Sequence, residues 1–127
     1  MLKHSFCAAV VISFAGAAFA KPPLLDPTLH WATKAEEAAI TAEVADMLKD
    51  PDSAKFRKIT VKSVSFCGQV NGKNSYGAYS GYTHFIGVIG PSKADASKLK
   101  AVVIQLDSSD ETIAYRMCLK EGLIPAE

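Results

Sequence analysis

Ile59-Thr60-Val61-Lys62-Ser63-Val64-Ser65-Phe66-Cys67-Gly68-Gln69-Val70 is the stretch on which the fold turns. β-Branched and aromatic residues dominate it, the composition of extended chain that packs on one face. Val64, Phe66, Gly68 and Val70 share one parity, whereas Ile59 and Val61 share the other. Side chains alternate along a strand with a period of two, so the change of parity near Lys62 and Ser63 predicts a β-bulge within one long strand.

Downstream, residues 71–81 place Gly72, Gly77 and Gly81 among Asn, Ser and Tyr, the make-up of a long polar hairpin connection. A second strand is predicted from Tyr82 to Ile89, stopped by Gly90-Pro91. After a polar turn over Ser92 to Lys98, Leu99 to Asp107 predicts a third strand, with Val102, Ile104 and Leu106 alternating against Ala101, Val103 and Gln105. Ser108 with Glu111 forms a capping box for a helix that runs to Glu121 and closes on Gly122.

Upstream, Thr33 with Glu36 forms another capping box, and the Ala-rich and Glu-rich segment that follows favours helix. The helix is expected to start at 29 or 34 and to reach 49, with Ile40, Val44, Met47 and Leu48 as one apolar stripe facing the core. Asp50-Pro51 ends it, and Phe56 is expected to point inward at the corner that follows. Residues 21–32 form a Pro-rich lead-in, because Pro22, Pro23 and Pro27 deny the backbone both helix and ladder. Trp31 is expected to pack against the first helix. Together these elements predict an α+β domain over residues 33–127: an N-terminal helix, a three-stranded antiparallel sheet and a C-terminal helix.

The first twenty residues have the three parts of a secretory signal. Lys3 and His4 open it, an apolar run follows from Phe6 to Phe19, and Ala18-Phe19-Ala20 supplies the small-residue cleavage site. Residues 1–20 are therefore read as a signal peptide, and the protein as periplasmic or secreted. The apolar run is short for a bilayer span, so no stable membrane insertion is expected after cleavage. Cys7 leaves with the signal, and Cys67 and Cys118 remain to form one disulfide in an oxidising compartment. The chain has 14 basic and 13 acidic side chains, and Lys3 also leaves with the signal, so the mature chain is formally neutral. Neutrality argues against a nucleic-acid partner, which demands concentrated positive charge. Two thiols with the scattered His30 and His84 show no metal-ligand spacing, and no cofactor is expected.

The segment from Cys67 to Phe85 concentrates chemistry. It holds three of the four tyrosines, half of the eight glycines and the asparagines Asn71 and Asn74. Amide side chains offer paired donors and acceptors, Lys73 adds a cation, and Tyr76, Tyr79 and Tyr82 present flat apolar faces with polar tips. Asn71, Lys73, Asn74, Tyr76, Tyr79 and Tyr82 are the candidate binding residues, for a protein or envelope glycan as partner. The competing reading is structural, with Asn and Gly supplying left-handed turn angles and the tyrosines covering the sheet edge. His84 beside Ser75 or Ser80 would suit a small hydrolase, yet the loop carries no orienting carboxylate, and Asp107 or Asp110 would have to approach from elsewhere. Glu36 with Glu37, and Asp110 with Glu111, sit at helix starts, where negative charge favours the dipole.

Asp50-Pro51-Asp52-Ser53-Ala54-Lys55-Phe56, and the segment from Cys67 through Asn71, Lys73, Asn74, Gly77, Tyr79 and Gly81, fit the patterns DPxSAxF and CGxVNxKNxxGxYxG. In these the chain resembles a group of small exported proteobacterial proteins that carry a domain of unknown function. The resemblance spans roughly residues 44 to 89 and implies export. It transfers no catalytic residues, and it marks the loop as the place to look. The expectation is a non-enzymatic exported binding module acting through loop 69–85. The alternative is a structural accessory of an envelope assembly that contacts its partner through the lead-in and Trp31.

Overall fold

The computed structural model describes residues 21–125; residues 1–20, the segment read above as a signal peptide, lie outside the described residues. The elements are β1 (Leu29–Trp31), α1 (Lys34–Asp46), a 3-10 turn (Pro51–Ser53), β2 (Lys55–Lys62), β3 (Ser65–Asn71), β4 (Thr83–Pro91), β5 (Leu99–Leu106) and α2 (Ile113–Lys120). Each strand pairs antiparallel with its chain neighbour, so the sheet is a meander with β1 and β5 at its edges. The class is α+β as expected, but the sheet has five strands where the sequence predicts three.

Two local features account for the difference. Lys62 pairs with Ser65 and Ser63 takes the left-handed φ of 55°, so Ser63 and Val64 form a two-residue hairpin turn. The parity change at Lys62 and Ser63 is a reversal of the chain and not a bulge. A true bulge lies further upstream, where the register slips between Arg57 and Thr60 and Lys58 has φ 55°. The remaining strand is β1, three residues at the end of the lead-in, too short to show an alternation in sequence.

Helix α1 begins on the expected capping box: the Glu36 N–H donates to Thr33 Oγ1 at 3.2 Å, and the Thr33 N–H donates to Glu36 Oε1 at 3.0 Å. It ends at Asp46 rather than Lys49: the Met47 and Leu48 N–H groups donate to the carbonyls three residues back, Val44 and Ala45, and Asp50, ahead of Pro51, lies outside helical geometry at φ −127° and ψ 85°. Met47 is consequently exposed. Ile40 and Val44 are fully buried, and Leu48 packs on the core from beyond the helix end.

On the face covered by α1, Phe66 of β3 pairs with Gly87 of β4, and Gly68 of β3 pairs with Phe85 of β4. Each ring occupies the space that the opposite glycine leaves. A Cβ on Gly87 would meet the Phe66 ring at 2.4 Å, and one on Gly68 would meet the Phe85 ring at 2.5 Å. The two rings meet edge to face with centroids 6.1 Å apart, and Phe56 adds a second edge contact to Phe85. Burial of such a ring contributes roughly 2–3 kcal/mol.

Helix α2 covers the opposite face with Ala114, Cys118 and the following Leu123, packed on Leu29, Cys67 and Ile86. Cys118 is bonded to Cys67 with Cα atoms 6.1 Å apart across 51 residues of chain, a closure worth about 4 kcal/mol by the loop-entropy estimate. The predicted cap at Ser108 does not start this helix, because Ser108 and Glu111 close a separate turn. The buried Asp107 takes its place: its two carboxylate oxygens accept the N–H groups of Ala114 at 2.7 Å and Tyr115 at 3.0 Å. Trp31 pairs with Thr60, which pairs with Cys67, so it stands on the α2 side of the sheet and not against α1.

Candidate functional site

Loop 72–82 joins β3 to β4, and its own side chains fix its shape. Asn74 Oδ1 accepts the Tyr76 N–H at 2.9 Å and the Ala78 N–H at 3.2 Å, while its backbone N–H donates to the Ala78 carbonyl at 2.8 Å. Asn71 Oδ1 accepts the Gly81 N–H at 3.2 Å. Gly77 and Gly81 supply the positive φ values, 76° and 103°, that these turns require. Lys73 and Tyr79 form a backbone bridge, so the hairpin continues briefly beyond the strands.

The 3-10 turn anchors this loop to the body. Ser53 Oγ accepts the Lys73 N–H at 2.9 Å, and the Tyr79 hydroxyl donates to the Ser53 carbonyl at 2.8 Å. Lys49 Nζ donates to Ser75 Oγ at 2.8 Å. Two ammonium groups approach the Tyr79 ring, Lys55 Nζ at 4.3 Å and Lys73 Nζ at 5.7 Å from its centre. Tyr82 lies under the Arg57 guanidinium, 3.7 Å from its ring centre.

The six predicted residues therefore divide by task. Asn71 and Asn74 are committed to loop backbone, and Tyr79 and Tyr82 are held against cations. The Lys73 backbone is tied down by Ser53, while its ammonium lies 5.7 Å from the Tyr79 ring centre. Tyr76 is different: it is 95% exposed at the tip of the loop.

His84 lies at the opposite end of the same segment, on the α2 face, where register brings it beside Gln69. Arg57 Nε donates to Gln69 Oε1, and that bond turns the Gln69 amide nitrogen to His84 Nε2 at 2.8 Å. An amide nitrogen only donates, so Nε2 accepts and the imidazole proton resides on Nδ1. The His84 ring also rests against Tyr115 of α2, with centroids 4.8 Å apart. Asp107, the nearest candidate for an orienting acid, has both oxygens occupied by the start of α2.

Gln69, His84 and Tyr115 line a cleft of about 490 Å³ whose wall continues through Trp31 and Leu123. The Trp31 indole N–H donates to the Pro22 carbonyl at 2.8 Å, which holds the lead-in along one rim. Among the described residues no cluster of three metal-ligating side chains stands together, and no helix is long and apolar enough to cross a membrane.

No protein-family model, curated protein or solved structure matches this chain. The side-chain arrangement therefore carries the functional reading. The sequence points to the loop and gives no sign of the cleft. Trp31, Lys58 and Gln69 come together only once the β2–β3 hairpin and the upstream bulge set the register, and the parity pattern alone does not locate that turn.

Proposed function

We propose that this chain is an exported, non-enzymatic binding module that recognises a protein or envelope glycan through loop 69–85. The carrying observation is Tyr76, almost fully exposed on a loop in which the side chains of Asn74, Ser75 and Tyr79 are engaged. A large aromatic left in water at the tip of an ordered loop is the group that gains most on contact with a partner, and a preordered loop loses little entropy on binding. Asn71 and Asn74 act as the frame, Tyr79 and Tyr82 as flanking surface, and Tyr76 with the Lys73 ammonium as the contact groups.

Lys49, Lys55 and Lys73 gather at the loop, which favours an acidic or acceptor-rich partner surface. The disulfide and the resemblance to exported proteobacterial proteins support a periplasmic or extracellular site of action.

Site-specific photo-crosslinking tests this reading. The photo-reactive residue p-benzoylphenylalanine is placed at position 76 and, as control, at the exposed Lys93 in the β4–β5 connection. A discrete adduct from position 76 and none from position 93 is expected. No adduct at 76, or identical adducts at both, contradicts the proposal.

A further inference from the structure

We infer that the loop takes a linear acidic polysaccharide, an inference that rests on the loop being a binding site and narrows its ligand to one chemical class. Lys55 and Arg57 stand on one face of β2, roughly 7 Å apart, while the intervening Phe56 packs on the core. Lys73 follows just beyond the end of β3, and Lys49 reaches the loop at Ser75. Four cations thus follow one another along the loop and its base.

Their contacts are with neutral groups. Lys55 and Lys73 share the Tyr79 ring, Arg57 lies over the Tyr82 ring and donates to the Gln69 amide oxygen, and Lys49 donates to the Ser75 hydroxyl. Lys49, Lys55 and Arg57 are exposed, and Lys73 is half-buried. Among the described residues, Asp50 and Asp52 at the anchoring turn form no ion pair with any of the four. A cation held against a ring is positioned and keeps its charge, so it can meet an incoming carboxylate without first breaking an ion pair.

The rings select the kind of anion. Each unit of a polyuronate presents an apolar C–H ring face beside one carboxylate. Tyr79 and Tyr82 each set an aromatic face beside a cation, and Tyr76 adds an exposed ring at the tip. An acidic peptide supplies the charge without the ring face, and a neutral glycan supplies the face without the charge. A polymer that repeats both engages several of these pairs at once, which raises affinity beyond that of any single pair.

Hexagalacturonate is the probe, with maltohexaose as the neutral glycan and hexaglutamate as the anion without sugar rings, in amide-resolved NMR titrations of the oxidised protein. Saturable shifts at Lys73, Tyr79 and Tyr82 are expected, with hexagalacturonate binding about tenfold more tightly than either control. Lys55→Gln combined with Lys73→Gln, melted beside the parent, is expected to weaken binding about tenfold, and Lys55→Arg with Lys73→Arg to keep it within about threefold. Lys93→Gln with Lys98→Gln, both exposed in the β4–β5 connection, is expected to leave it within about twofold. Absence of saturable hexagalacturonate binding, equal binding of hexaglutamate or maltohexaose, or an equal loss in both glutamine pairs overturns the inference. A discrete crosslink from position 76 together with no hexagalacturonate binding overturns the ligand class and leaves the loop reading standing. Failure of both removes both.

Discussion

Gln69 donates to His84 Nε2 across the β3–β4 pair, and that bond fixes the tautomer of the imidazole, with its proton on Nδ1. Burial is the largest cause holding the His84 pKa below its ordinary value. The Asp107 carboxylate opposes this, and the Arg57 and Lys58 cations reinforce it. The folded protein thus binds this proton less readily than the unfolded chain, whose imidazole titrates near about 6.5.

Stability follows in sign. The contribution of neutral His84 is fully present above the unfolded value and is lost as pH falls from there through the folded pKa. The urea midpoint is expected to be lower at about pH 5 than at about pH 7.5, and His84→Phe is expected to shrink that difference. An unchanged pH dependence in His84→Phe would assign the effect to other groups.

Gly87 is required because the sheet leaves no room above it. A Cβ there would lie 2.2 Å from the Val102 carbonyl oxygen and 2.4 Å from the Phe66 ring. Gly87→Ala is expected to cost about 2 kcal/mol or more in chemical denaturation. Gly90, three residues along the same strand, has open space at the equivalent position. Gly90→Ala is expected to stay within about 0.5 kcal/mol of the parent.

Asp107 caps α2 from a distance. Asp107→Ala strips the acceptors from the Ala114 and Tyr115 N–H groups, with an expected loss of about 2 kcal/mol and faster hydrogen exchange in the first turn of α2. Ser108→Ala removes only an exposed contact to Asp110 and is expected to change stability by less than about 0.5 kcal/mol. The reverse order would restore the capping role that the sequence suggests for Ser108.

What was legible in the sequence was local. The Thr33 and Glu36 capping box, the Cys67 to Cys118 pair and the turn-forming Asn and Gly of the loop each depend on residues whose chemistry shows in isolation. What escaped depended on register. A two-residue hairpin at Ser63 and Val64 and a bulge leave similar parity traces, so the strand count came out low. The Asp107 cap skips the intervening turn, and the Trp31, Gln69 and His84 neighbourhood joins three strands, with no sequence spacing to announce either. For the loop, the structure assigns Asn71 and Asn74 to scaffolding and leaves Tyr76 outward, a division that composition does not make.

The most direct test of the binding-module account compares Tyr76→Ser with Asn74→Ala in quantitative capture from an envelope extract by the oxidised protein, with melting curves for both. Tyr76→Ser is expected to lose the captured partner at an unchanged melting temperature, because the side chain is almost fully exposed in the fold. Asn74→Ala is expected to weaken capture and also lower the melting temperature, because it releases the Tyr76 and Ala78 N–H groups. Retention of the same partner by Tyr76→Ser, at parental yield, would contradict the account.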